Sequence, residues 1–417
     1  MKKIIRITTL IILMCSIIVF AKNDLQTVLA STEESSEIEL ETSLVSIEDW
    51  ERASAGEYPI NEQSPEWKNI SFCEALDACN MPKEYAKSLS TDDLSKYAVN
   101  YPFLIHILVY NSIEDGINSL KTKSMLFEEL FLRPDCNAAL LKEYNNMSCD
   151  YKILEEQRDM SASGYLEEIF LEAYFGLNYK NLSDEEANMF LEEYNKKYAE
   201  RPEDKKDYRT STIFYDCMTE AIGYIPENTL IDSVKNEISS ETVAEDSSFT
   251  KTVPYLVGGP YKSVCYQGYK KIKGRDIPCY KFHTGDYTPA EIADIDAKII
   301  AANPTFVKVR SATKKHNCHS YAWYSTKETN PYWINDPSNI YTNNTDFYIK
   351  RTPSMKLASG NKMLFFSGSA LQHSAILISS KKCKSKLGAG GVYKTTIKEM
   401  KELYDAPNIK TYIRVNK

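Results

Sequence analysis

The chain changes both texture and sign along its length, and that change most constrains what it can fold into. Residues 22–253 carry 21 Lys+Arg against 47 Asp+Glu, a net charge of -26, whereas residues 254–417 carry 26 against 11, a net +15. Apolar residues recur at helical spacing from about Trp50 to Pro226, but beyond residue 253 they fall in short β-prone runs. Opposed charge and opposed periodicity predict two domains with different partners. At 417 residues, 43% hydrophobic and 26% charged, the chain has apolar material for more than one core. That balance excludes disordered, collagen-like and polytopic membrane classes.

In the acidic half, Ser90 with Asp93 and Ser183 with Glu186 match the pattern in which an N-cap hydroxyl and an acid three residues later satisfy free backbone donors. Between them lie runs such as Y-L-E-E-I-F-L-E-A-Y-F, Tyr165 to Phe175. These signals predict an α-helical acidic domain over 49–237. His106, within P-F-L-I-H-I-L-V, reads as a core histidine. Residues 238–253 are polar and aperiodic and predict a linker. The basic half, 254–417, shows strand-like runs including I-P-C-Y-K-F, T-F-V-K-V-R, K-M-L-F-F and S-A-I-L-I-S. Helix starts are predicted at Thr288-Pro289, where Glu291 completes a capping box, and near Asn317. Strands with segregated helices predict an α+β fold. The run K-K-C-K-S-K, Lys381 to Lys386, reads as a solvated turn, and Gly388 to Gly391 as a loop that lets backbone or substrate approach closely.

Lys2, Lys3 and Arg6 precede an apolar run from Leu10 to Phe20, with Val19 and Ala21 before a cleavage site. Residues 1–21 are therefore predicted to be a signal peptide and 22–48 a flexible acidic lead-in, with no membrane contact after cleavage. The expected address is secreted, extracellular or cell-wall associated. Export argues against nucleic acid as the polyanion drawn to the basic half, leaving an anionic wall polymer or peptide. The acidic half is a second candidate, docking on the basic half within the same chain. Nine cysteines remain after Cys15, an odd number that predicts a free thiol or an intermolecular bridge. Cys265 and Cys279 flank a hairpin-like run and are the expected pair. No C-x-x-C occurs, so a common zinc site is not expected.

The segment with chemistry is H-N-C-H-S-Y-A-W-Y, His316 to Tyr324. A cysteine at a helix start has free amides and the positive end of the helix dipole to stabilise its thiolate. A thiolate nucleophile needs a base, and His373 heads the β run H-S-A-I-L-I-S. Ser385, further along, is the candidate to orient the imidazole, with Asn343 or Asn344 as alternatives. His316, Asn317, His319 and Tyr321 surround the nucleophile and are candidates for substrate contact. Adjacent residues at a helix start rarely converge on one ion, so neither metal nor cofactor is expected.

These residues resemble a known family. N-C-H-S-Y-A, G-N-K-M-L-F-F and H-S-A-I-L-I, within about residues 300–397, are similar to the nucleophile and base segments of papain-like amidases of the NlpC and CHAP type. The resemblance implies a C-terminal papain-like α+β domain with an antiparallel sheet. It further implies hydrolysis of amide bonds in bacterial cell-wall peptides, peptidoglycan being the partner, with Cys318 as nucleophile and His373 as base. Asn317 and Asn361 stand where many members have Asp, and Ser385 where a third His, Asn or Gln is found. Two other outcomes fit the same residues: a wall-binding module without turnover, and an acyl transferase of the transglutaminase kind in which an amine resolves the thioester.

Overall fold

The structure is a computed structural model describing residues 44–147, 163–200, 217–218, 248–249, 251–252, 265–282, 286–342 and 347–415. The expected signal peptide, nearly all of the lead-in and most of the linker lie outside the described residues. From Val45 onward the described residues belong to one compact unit.

Its N-terminal region is helical: α1 Ile47–Arg52, α2 Phe72–Ala78, α3 Lys83–Ser88, α4 Thr91–Val99, α5 Ile113–Lys123, α6 Met125–Leu130, α7 Cys136–Asn146, α8 Ser163–Asn178 and α9 Asp184–Glu200. Serine starts many of these. Ser46 and Ser71 form full capping boxes with Asp49 and Glu74, Ser90 and Ser112 accept from the third amide of their helices, and Ser183 exchanges bonds with Glu186. Each cap satisfies donors that a helix start leaves open.

The C-terminal region adds α10 Pro289–Ala302, α11 Cys318–Trp323, α12 Ser338–Tyr341 and α13 Ile397–Leu403. Its strands are β1 Lys251–Thr252, β2 Cys265–Ile272, β3 Arg275–Phe282, β4 Val307–Arg310, β5 Tyr348–Lys350, β6 Lys362–Ser367, β7 Ala370–Leu377, β8 Lys382–Lys386, β9 Val392–Thr396 and β10 Asn408–Arg414. One sheet runs β1-β2-β3, the other β4-β9-β8-β7-β6-β10-β5. Neighbours in both are antiparallel. The fold is α+β, with helices first and the antiparallel sheets after them. Thr288, Pro289 and Glu291 start α10 as a capping box with proline at the first turn.

Two expectations are corrected by strand register. Lys273 and Gly274 turn the β2–β3 hairpin with φ of 50° and 76°, the left-handed pair that a tight two-residue hairpin requires. That turn sets Cys265 opposite Phe282 and Cys279 opposite Gly268. The expected Cys265–Cys279 bridge is therefore absent, and Cys279 is a buried free thiol. Lys382–Lys386, expected to be a solvated turn, is an inner strand of the larger sheet. Cys383 and Ser385 are buried, whereas Lys382 is exposed and Lys384 half-buried. Lysines at the alternate positions hide the pattern in the sequence, since each reads as a solvated charge although only its head needs water. Lys386 departs from that rule: it is fully buried, its Nζ donating to the carbonyls of Thr313 at 2.8 Å, Gly388 at 2.7 Å and Gly390 at 2.5 Å.

The helical and sheet regions share one apolar core, in which Leu104, Ile105 and Ile107 join Ile299, Phe306, Phe365, Leu387 and Tyr393. Polar contacts cross the same boundary. Trp67 Nε1 donates to the Ala301 carbonyl at 2.5 Å, and buried His106 meets Asn303 at 3.0 Å. Lys123 reaches across from α5, donating to the Tyr110 hydroxyl at 2.7 Å and to the Leu403 carbonyl. Burial brings its pKa down to about 7, although Asp405 and Glu402 oppose the shift. A lysine depressed in the folded state binds fewer protons than in the unfolded chain, where its pKa is about 10.4. Stability should thus rise with pH from about 7 to about 10, the reverse of a lysine that gains a partner. Lys123→Met is expected to flatten that slope in urea midpoints taken across the window.

Candidate active site

The local sequence builds the site outward from Asn317. As N-cap of α11, its Oδ1 accepts from the amides of Ser320 at 3.1 Å and Ile334 at 3.2 Å. Its Nδ2 donates to the Ile334 carbonyl at 2.7 Å and to Asn111 Oδ1 at 2.9 Å. Cys318 follows as the first helical residue. α11 packs on β7 and β8, the strands that carry His373 and Ser385.

β7 is irregular where it matters. Phe365 of β6 faces His373, but Phe366 faces Leu371, so Gln372 is an extra residue in the ladder. Bulges of this kind re-aim neighbouring side chains. The Gln372 carbonyl receives Asn111 Nδ2 at 3.5 Å.

His373 Nε2 lies 2.5 Å from Ser385 Oγ. The serine has one proton and an acceptor for it in the Ser374 carbonyl at 2.8 Å, so Ser385 receives the His373 Nε2–H. Nδ1 then carries the imidazole lone pair, and this buried atom has no hydrogen-bond partner. Tyr404 stacks on the ring with centroids 3.8 Å apart. Burial, reinforced by His319, lowers the His373 pKa well below its usual 6.5. The imidazole is a neutral base.

Cys318 is 1% exposed and His373 0%. Burial pushes the Cys318 thiol up to about 12, overcoming the amides of Ser374, His319 and Cys318 and the charge of Lys386, all of which favour thiolate. The sulfur therefore sits among groups suited to an anion yet is protonated in this state.

The four residues expected to meet substrate lie inside the fold. His316 Nδ1 donates to the Asn330 carbonyl at 3.0 Å and its ring stacks on buried Tyr321. Asn317 caps the helix. His319 Nε2 receives Asn111 Nδ2 at 2.9 Å, which leaves its Nδ1–H to donate to Ser374 Oγ at 2.7 Å. Burial brings the pKa of both histidines down to about 3, so each is neutral. Asn343 and Asn344 lie outside the described residues, and Asn361 Oδ1 receives the Ala358 amide at 2.9 Å.

Sequence reasoning missed Asn111, Ser374, Lys386 and Tyr404. Only Lys386 left a usable trace, since the alternation of Cys383 and Ser385 could have been read as a strand. Among the described residues, no three His, Cys, Asp or Glu side chains converge as metal ligands, and no helix is long and apolar enough to cross a membrane. Comparison with protein-family models, curated proteins and solved structures found no match to this chain.

Proposed function

We propose that the protein is an exported cysteine amidohydrolase of papain-like type that cleaves amide bonds in bacterial cell-wall peptides. The supporting observation is the state of His373: its Nε2–H is held by Ser385 and its Nδ1 lone pair is free, on a strand against which the Cys318 helix packs. This is the division of labour that a cysteine nucleophile needs from its base. In the reaction His373 Nδ1 takes the Cys318 proton and Sγ bonds to the substrate carbonyl carbon. Amides beside the sulfur, those of Cys318 and His319, stabilise the oxyanion. The imidazolium then protonates the leaving nitrogen as the C–N bond breaks. Water resolves the thioester by the same route: its proton goes to Nδ1, its hydroxide to carbon, and the proton returns to sulfur. Ser385 fixes the tautomer throughout.

Wall peptide fragments incubated with the protein should yield products heavier by one water. The assay is run in wild-type and Asn111→Ala backgrounds, so that access to the sulfur does not decide the result. Cys318→Ala is expected to abolish these products in both. Cleavage that survives Cys318→Ala, or no cleavage in either background, would overturn the proposal. The second reading, a binding module without turnover, is favoured by the burial of Cys318 and its high pKa. It predicts equal retention of wall material by wild-type and Cys318→Ala proteins with no new product masses.

A further inference from the structure

A nucleophile with 1% exposure has no open face for substrate, and part of what covers it comes from the helical region. The 3-10 turn Leu104–Leu108 leads into Val109, Tyr110 and Asn111, and α5 begins after Ser112. Every residue from 108 to 111 is tied to the sheet region. The Leu108 carbonyl accepts from the Ala389 amide at 3.2 Å. The Val109 carbonyl accepts from the Tyr404 hydroxyl at 3.0 Å, and the Tyr110 hydroxyl donates to the Leu403 carbonyl at 2.8 Å. Asn111 then lies against the sulfur, its Oδ1 accepting from Cys318 Sγ at 3.7 Å.

The orientation of the Asn111 carboxamide follows from its neighbours. Asn317 accepts two amides through Oδ1, so its Nδ2 faces Asn111 and must meet an oxygen. The Asn111 atom beside Cys318 is therefore an acceptor. An acceptor there stabilises the neutral S–H and opposes negative charge on sulfur or on an oxyanion next to it. One contact covers the nucleophile and adds an acceptor to the burial that keeps it protonated. Gly388 shows how closely the segment is applied: its φ is +41°, and a Cβ there would lie 2.6 Å from the Leu108 oxygen and from the Val109 carbonyl.

We propose that residues 108–111 are an autoinhibitory strap that keeps the cysteine site latent until the strap is displaced. The proposal rests on the reading of Cys318 and His373 as nucleophile and base. Residues 108–111 carry no charged side chain, and their bonds to the sheet region run between neutral groups, so displacement by a competing peptide or by cleavage is the fitting trigger.

The test is the rate at which iodoacetamide labels Cys318 in the full chain at neutral pH, mapped by mass. Asn111→Ala removes the acceptor, and Gly388→Ala drives a methyl group into the strap from the other side. Both variants are made with and without His373→Ala, and their folding is checked by thermal melting. Asn111→Ala is expected to label about fivefold faster than wild type, as loss of one hydrogen bond worth roughly 1 kcal/mol implies, and Gly388→Ala at least as fast, since its methyl group clashes with the strap backbone. Folded strap variants that label no faster, or a native wild type that labels as fast as its denatured chain, would overturn the strap. Acceleration that is indifferent to His373→Ala would support the strap while removing His373 as the base, so the two readings fail separately.

Discussion

His373→Ala is expected to lower amide turnover by about 10²- to 10⁴-fold, the usual contribution of a positioned general base. The comparison belongs in the Asn111→Ala background, where the strap proposal expects the sulfur to be reachable. The imidazole is neutral in the folded protein because burial holds its pKa well below 6.5. Its lone pair is therefore present throughout the neutral range, and the acid limb of kcat/KM should lie below pH 6.5. Ser385→Ala is expected to cost less than His373→Ala, since it removes the acceptor that holds Nε2–H but leaves the ring. The double variant should be no worse than His373→Ala alone, because residues acting as one unit are not additive. Turnover unaffected by His373→Ala, or additive losses in the double variant, would separate the two residues from a common role.

Lys386→Met is expected to destabilise the fold by about 2–5 kcal/mol, because it leaves buried carbonyl acceptors without their donor. Its Nζ donates to three carbonyls, those of Thr313, Gly388 and Gly390, and methionine fills similar volume without replacing any of them. A buried acceptor left without a donor costs about 1–3 kcal/mol. The Gly390 carbonyl keeps a second donor, the Thr313 amide at 3.3 Å, so the three losses do not simply add. Lys384→Met, two residues earlier on the same strand and partly open to solvent, should change stability by less than about 0.5 kcal/mol. Urea midpoints at constant m-value would measure both. Equal effects for the two lysines would show that Lys386 contributes no more than an exposed charge.

The non-catalytic reading and the strap address the same fact from opposite sides. A thiol with a pKa of about 12 is unreactive, but the groups around this one are not those of an inert core cysteine. Amides of Ser374 and His319 and the charge of Lys386 all favour its anion, and the Asn111 oxygen opposes it. Removing the Asn111 side chain is thus the change on which the proposed latent enzyme and the proposed binding module differ.

What the sequence determined by itself was local. Serine and threonine caps with an acid three residues on located helix starts at Ser90, Ser183 and Thr288, because an N-cap bond spans only three residues. The start of α11 at Asn317-Cys318 and the β run that carries His373 were legible because cap chemistry and β propensity act over a few neighbouring residues. What only the tertiary structure decided was register and cover. Which residue faces Cys279 depends on a two-residue turn, and a lysine-rich stretch is an inner strand because it pairs with both β7 and β9. Asn111 reaches Cys318 from 207 positions away, and Tyr404 reaches His373 from beyond β9. Contacts at that separation leave no periodic trace in the sequence; they exist because a shared apolar core brings the helical region onto the sheet and places one carboxamide over the sulfur.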